Sequence, residues 1–364
     1  MTPQANGIRI ACLAVHPPRL AATRLRLTQF FPDFANRGIE AELWTFLRER
    51  DLAHWYGRST LARLAVVARA LTRIPKALLM IRRAELVIVQ RECLPFRGSW
   101  LERWASRKRP LVWDVDDFVW EHYTSPTAGR ITRRLRTSTG KHAAICRMAS
   151  EVWAGSALIA EWATLHNPNT VEVPTVVDVP AEVPQASRQP AAVWVGSHST
   201  APFLEQILPA LDDVARLGSV VAVGAGSLHV WPQRIPLIEQ AWSPEIEHAA
   251  CESSRVGLYP VDNRNVYADG KCGLKAVLYM SHGLPCVVTP TPPNAAIVRD
   301  GVDGLYANTP AEWTAAVDRL LSDEALWHRC SREGHRRARD LYSLQVWAPR
   351  LTDRICNLGG PGHP

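Results

Sequence analysis

The feature that most constrains this chain is a pattern met in both halves: a short apolar run, a polar or glycine-bearing loop, then a helical segment. Ile8 to Val15 (Ile-Arg-Ile-Ala-Cys-Leu-Ala-Val) is such a run, and His16-Pro17-Pro18 breaks it. A helix is expected from Ala21 to Asn36, stopped at Gly38, and Ile39 to Phe46 reads as a second strand. Leu86 to Gln90, Leu111 onward and Glu151 to Ala154 are further strands. The pattern restarts at Ala192 to Val195, with strands at Val220 to Val223, Val256 to Tyr259 and Pro285 to Thr289. Strand, loop, helix, strand is the opening of a parallel α/β sheet. In such sheets ligands meet the loops at the carboxyl ends of the strands.

Between the two series lies a Pro-, Ala- and Gln-rich stretch, the best linker in the chain. It divides an N-terminal domain over 1–178, a linker over 179–190, a second domain over 191–340, and a helix and tail over 341–364 that could cross back to the first. A length of 364 residues suits two domains. Charge changes at the same place: residues 1–178 hold 26 Lys and Arg against 16 Asp and Glu, and the rest 16 against 19. A basic half suggests an anionic partner. The eight cysteines are scattered, with no Cys-x-x-Cys pair, so neither a zinc site nor a disulfide framework is expected. No signal peptide or long charge-free apolar run is present, and a cytoplasmic protein is expected.

Several loop positions carry candidate chemistry. Arg24 and Arg26 follow the first strand's loop; they suit an anionic ligand as well as a solvated helix face. Asp114, Asp116 and Asp117 crowd the end of the strand from Leu111. Carboxylates so close call for a ligand, a metal or an arginine. Catalytic base, acceptor of a substrate hydroxyl and metal ligand are all open, beside a helix cap or an arginine pair. Ser156 ends a strand in Gly-Ser. In the second half, Gly196-Ser197-His198-Ser199-Thr200 offers backbone N–H groups to phosphate, with Ser197, Ser199 and Thr200 as contacts. Gly224-Ala225-Gly226 is a weak dinucleotide fingerprint. Residues 269–289 form a glycine-bounded turn, a short helix and an apolar strand. Lys271 and Lys275 are four apart, on one face of that helix, beside its positive end.

The segment 58–83 is basic and amphipathic. Leu64, Val67, Leu71, Ile74, Leu78 and Ile81 make a stripe expected to face the sheet, with Pro75 kinking or splitting the helix. The outer basic face would be solvated or would meet an anionic membrane surface. Nucleic acid is not expected, since the basic residues lack interleaved aromatics.

Together these motifs resemble the two-domain GT-B glycosyltransferases, with two Rossmann-like parallel-sheet domains facing a central cleft. More narrowly, the chain is similar to family 4 (group 1) retaining glycosyltransferases. The matching pieces are Val173-Pro174-Thr175-Val176-Val177-Asp178, Trp194-Val195-Gly196-Ser197, Gly270 to Val288 and Val298 to Leu305. The resemblance implies metal-independent transfer of a sugar, with retention, from a nucleotide diphosphate sugar as co-substrate and with no cofactor. The nucleotide would sit on the C-terminal domain. The acceptor, a glycan or lipid-linked glycan of the cell envelope, would sit on the N-terminal one, at the inner face of the membrane. Asp116 or Asp117 would position or deprotonate its hydroxyl, with His122 as an outside candidate.

Where the family usually carries two glutamates, this sequence has Gly270 and Leu278. Residues 270–275 instead fit a Gly-Lys-Cys-Gly-x-Lys subgroup, in which Lys271 and Lys275 would neutralise the diphosphate. A sugar-nucleotide epimerase of the same architecture, or a non-catalytic nucleotide-sugar or glycan-binding protein, are the alternatives.

Overall fold

A computed structural model describes residues 7–57, 59–120, 139–184, 187–226, 234–262 and 270–360. The chain forms two compact units, one of Met1–Thr175 with Trp347–Pro364, the other of Val176–Val346.

The first unit is built on a six-stranded sheet of β1 (Ile8–Ala14), β2 (Ile39–Thr45), β3 (Leu86–Gln90), β4 (Leu111–Val115), β5 (Glu151–Ala154) and β6 (Thr170–Glu172). The order is β2-β1-β3-β4-β5-β6, with every pairing parallel. All of β3 and β4 is buried, which is why both strands read as apolar runs up to Gln90 and Asp114. The expected helix over 21–36 is divided into Ala21–Arg26, a 3-10 turn at Thr28–Phe30, and Phe31–Asn36 with Pro32 in its first turn.

The basic segment forms two helices, Thr60–Leu71 and Ile74–Arg83, with Pro75 in the first turn of the second. Their orientation corrects the expectation. Val66, Ala70, Ala77, Met80 and Ile81 are buried, while Leu61, Leu64, Leu71 and Leu79 are exposed. The break after Leu71 rephases the periodicity, so a single stripe drawn through both helices does not describe either one. Residue 58 lies outside the described residues.

The second unit's sheet holds β7 (Gln189–Val195), β8 (Ser219–Val223), β9 (Leu237–Gln240), β10 (Ser254–Tyr259), β11 (Cys286–Val288) and β12 (Leu305–Tyr306). The order is β12-β11-β10-β7-β8-β9, again all parallel. Alternate residues of β7 enter two apolar clusters, Ala192 and Trp194 in one, Val193 and Val195 in the other. Successive side chains of a strand point to opposite faces, so this sheet is covered on both. β9 escaped the sequence reading because it is a largely exposed edge strand with no apolar run. Arg188, within the expected linker, donates to the carbonyls of Cys251 (2.7 Å), Ser254 (2.9 Å) and His282 (2.6 Å).

In each sheet the strand order reverses once, between β1 and β3 and between β7 and β10. Crossovers leave to opposite sides at such a point, opening a crevice at the strands' carboxyl ends.

Candidate functional site

Tyr279 shapes the crevice of the second sheet. β7 and β10 pair, with one register shift between Ser254 and Val256, as far as Val193 and Gly257. Beyond that point the Tyr279 hydroxyl stands between them, accepting from the Val195 N–H (3.0 Å) and donating to the Leu258 carbonyl (3.1 Å). A Cβ on Gly257 would lie 2.6 Å from the Tyr279 ring, so glycine there lets the ring cross the strand.

After β7 the turn Gly196 to Thr200 enters the helix Ala201–Leu211. A Cβ on Gly196 would fall 2.4 Å from the Trp194 indole. Gly224, at the end of β8, has φ +79°, and a Cβ there would meet the Gly196 carbonyl at 2.4 Å. Glycine is therefore required at 196 by the Trp194 side chain and at 224 by the Gly196 backbone. The Ser197 N–H donates to Thr200 Oγ1 (3.2 Å) and the Thr200 N–H to the Ser197 carbonyl (2.8 Å). Those two donors are engaged inside the turn, and the Ser197 and Ser199 hydroxyls bond each other at 2.9 Å.

Across the crevice, the helix Leu274–Ser281 begins at Gly273, whose φ is +60°. A Cβ on Gly273 would lie 2.1 Å from Ile297 Cδ1. Lys275 projects from the first turn of this helix. Its ammonium rests 4.3 Å from the centre of the Trp194 ring and 5.3 Å from that of Tyr259. Among the described residues no carboxylate pairs with it. Desolvation, and then the charge of Lys271, hold its amine well below the usual lysine range. The helix's positive end acts in the same direction. A cation set on aromatic faces, beside a second cation and without an acid, lacks an anion. Gly270 is buried, and Leu278 packs against the apolar cluster. Asp269, first residue of the expected turn, lies outside the described residues.

In the first unit the three aspartates do not act as one group. Asp114 is 1% exposed and is gripped by Arg26, itself 3% exposed. The Arg26 guanidinium reaches both carboxylate oxygens of Asp114 and also donates to the Val173 carbonyl (2.7 Å). Both side chains are buried and spent on one another, the arginine-pair arrangement among the readings of Asp114. Ser156 is likewise a helix cap, accepting from the Ile159 N–H at 3.5 Å. Arg24 is half-buried in the helix Ala21–Arg26.

Asp116 and Asp117 share Arg91. Its guanidinium donates to Asp116 Oδ2 at 2.9 Å, and it contacts Asp117 as well. Gln90 adds a bond to Asp116 at 3.1 Å. Burial alone would raise the Asp116 carboxyl, but Arg91 outweighs it and holds the group below the usual carboxylate range. Arg91 has φ +60°, alone among described non-glycine residues in being left-handed. Such a conformation costs on the order of 1–3 kcal/mol and is kept only where its surroundings fix it. Here the Arg91 N–H donates to the Asp114 carbonyl (2.7 Å) and the Arg91 carbonyl accepts from the Trp113 indole (2.7 Å).

Beside this group, Lys141 is buried and donates to Glu92 (2.7 Å) and to the carbonyls of Leu94 (2.6 Å) and Phe96 (2.7 Å). His142 is 5% exposed, with neither ring nitrogen hydrogen-bonded. Burial and the neighbouring Lys141 and Arg91 charges push its pKa down to about 3. His122 lies outside the described residues.

Sequence reasoning missed Arg91, His142, Trp194, Tyr259 and Tyr279 as parts of these sites. Arg91 had a visible signal in its place just after an apolar strand. Trp194 and Tyr259, near their strands' carboxyl ends, read only as strand residues. Among the described residues no group of three His, Cys, Asp or Glu side chains is placed to hold a metal ion, and no helix is long and apolar enough to cross a membrane.

Two parallel six-stranded sheets with these orders define the GT-B fold. Residues 189–323, spanning the second crevice, match the family of group 1 glycosyl transferases. No curated protein sequence matches the chain. Among solved structures, sucrose-phosphate synthase from Thermosynechococcus elongatus is similar at TM-score 0.68 and 15% identity, over 96% of this chain and 99% of that one. Anabaena HepE in complex with UDP gives 0.60 and 12%, over 96% and 100%. The pneumococcal O-GlcNAc transferase GtfA, in complex with UDP and GlcNAc, gives 0.59 and 12%, over 81% and 61%.

Proposed function

We propose that the chain is a glycosyltransferase that moves a sugar, with retention, from a nucleoside diphosphate sugar to a hydroxyl of a glycan or lipid-linked acceptor. The observation that carries this reading is Lys275, an ammonium held over Trp194 and Tyr259 with no carboxylate partner among the described residues, inside the family-matched segment. In transfer, the departing diphosphate gains charge, and a cation already desolvated and in place stabilises that charge without reorganising. Lys271 adds a second cation. Gly196 and Gly224 hold the opposite loop in place through their close contacts with Trp194 and with each other.

In the first unit, Asp116 and Asp117 are the groups offered to the acceptor. An efficient general base has a pKa near the working pH. Asp116, held low by Arg91, is a poor base and a good hydrogen-bond acceptor. Its role is to orient the acceptor hydroxyl, whose proton passes to the leaving diphosphate. Retention then requires no protein nucleophile.

The test is thermal shift of the purified chain with UDP, GDP and their sugar derivatives, followed by product analysis with and without sugar acceptors. A nucleoside diphosphate raises the melting temperature, and a sugar nucleotide is consumed only when acceptor is present. Isomerised donor in the absence of acceptor would make the chain an epimerase. Binding without turnover would make it a binding protein.

A further inference from the structure

The helix Thr60–Leu71 shows water its apolar side. Leu61 is 79% exposed, Leu64 59% and Leu71 46%, and the exposed Ala65 and Ala68 fill the same stripe. These positions step by three, one, three and three, one face of a helix. The opposite face meets the first unit through buried Val66 and Ala70. The following helix adds Leu79, 46% exposed. Single exposed leucines are ordinary, but several on one stripe mark a surface that something covers.

The charges around the stripe say what covers it. From Thr60 to Arg83 there are six Lys and Arg and no Asp or Glu; Arg63, Arg69 and Arg73 turn back onto the Gly57 carbonyl, Asp51 and the Thr45 and Phe46 carbonyls, while Lys76, Arg82 and Arg83 are exposed. Lys76 is largely exposed, 3.5 Å from Glu42. Arg82 and Arg83 are exposed at the end of the second helix, with the Arg82 guanidinium over the Trp104 ring at 5.7 Å. A second copy of this chain applying the same face would bring cations against cations, because an isologous contact matches a patch with itself. Exposed leucines on one helix with exposed cations on the next suit a surface that is apolar inside and anionic at its edge.

We propose that these two helices dock on an anionic lipid bilayer, with Leu61, Leu64 and Leu71 entering the acyl boundary and Lys76, Arg82 and Arg83 at headgroup level. A helix with an apolar face and basic flanks lies in the plane of the headgroups, held by buried area and by attraction to anionic lipid. The docking is independent of the reaction proposed above. It reverses the orientation expected from sequence, in which the basic face alone would meet the headgroups.

The test is flotation of the full chain with vesicles of equal parts phosphatidylcholine and phosphatidylglycerol, against vesicles of phosphatidylcholine alone. The expected result is binding to the anionic vesicles that weakens with salt and falls at least tenfold in the Leu61→Ser, Leu64→Ser double variant. Arg82→Glu with Arg83→Glu lowers it comparably, and neither pair moves the melting temperature, since all four side chains are exposed. In Leu64→Trp, brominated acyl chains quench the added fluorescence, a readout that needs no loss of binding. Failure to bind anionic vesicles, equal binding by the leucine double variant, or absence of quenching would overturn the proposal. So would a dimer in light scattering that the leucine double variant dissociates, since a second copy would then cover the face.

Discussion

An ammonium resting on two aromatic faces is only partly compensated. The ring quadrupoles attract it, at about 0.5–2 kcal/mol, but leave it without a counter-charge. Lys275 is in that state, with its amine pushed well below the usual range by desolvation and then by Lys271. A bound diphosphate reverses the balance and raises the amine's pKa. Between the free and bound values binding takes up a proton, so donor affinity falls as pH rises through that window. Calorimetry in buffers of different ionisation enthalpy should show the uptake, and Lys275→Met should abolish it while weakening nucleotide binding by roughly tenfold or more. The same variant should melt higher than the parent without ligand, because it removes a desolvated charge.

His142 titrates with a different consequence. Its folded pKa of about 3 lies below the unfolded value, so it folds neutral. The stability it contributes is present above about pH 6.5 and is lost as pH falls below that, at about 1.4 kcal/mol per pH unit until the folded value is approached. Denaturant melts of His142→Phe should show a flatter acid limb between about pH 6 and 4; an unchanged limb would show that the imidazole is not held neutral.

At the scale of elements, two residues keep the second crevice open. Tyr279 supplies the bonds that β7 and β10 would otherwise make to each other. Tyr279→Phe leaves a buried N–H and a buried carbonyl unsatisfied and should cost about 1–3 kcal/mol in chemical denaturation. Gly273→Ala meets both a left-handed φ and Ile297 at 2.1 Å, so it should displace the start of the lysine-bearing helix. Weakened nucleotide binding is the expected result, and unchanged binding would show that the helix start does not form the site.

The strands were legible in sequence because burial on both faces keeps β3 apolar up to its last residue, Gln90, and leaves no polar residue in the core of β7. The edge strand β9 was not, having little apolar content to declare it. Site chemistry was legible only in part. Asp114, Asp116 and Asp117 are close in sequence, but Asp114 lies within β4 and the other two follow its end, and only the fold brings Arg26 to the first and Arg91 to the others. Trp194 and Tyr259 read only as strand residues because an aromatic under a cation differs from a packed one only in what lies above it.

For the whole molecule, each sheet reverses its order at one point, and the candidate ligand groups gather there. Hydrogen exchange should register this. Addition of a nucleoside diphosphate should slow exchange in residues 196–200 and 271–276, with β9 and β12 unaffected; slowing confined to other segments would place the ligand elsewhere.

The last helix, Leu344–Gly359, carries a consequence for synthesis. From Trp347 onward it belongs to the first unit, where Arg354 donates to Glu151 at 3.0 Å and Gly359 lies against Ile8 and Leu86. β1 and β3 are therefore covered by a segment translated after the whole second unit. Chains grow from the N-terminus at about 5–20 residues per second, so the first sheet to be made is the last to be finished. Until that segment arrives, the first unit lacks the buried side chains of Ala348, Leu351 and Ile355.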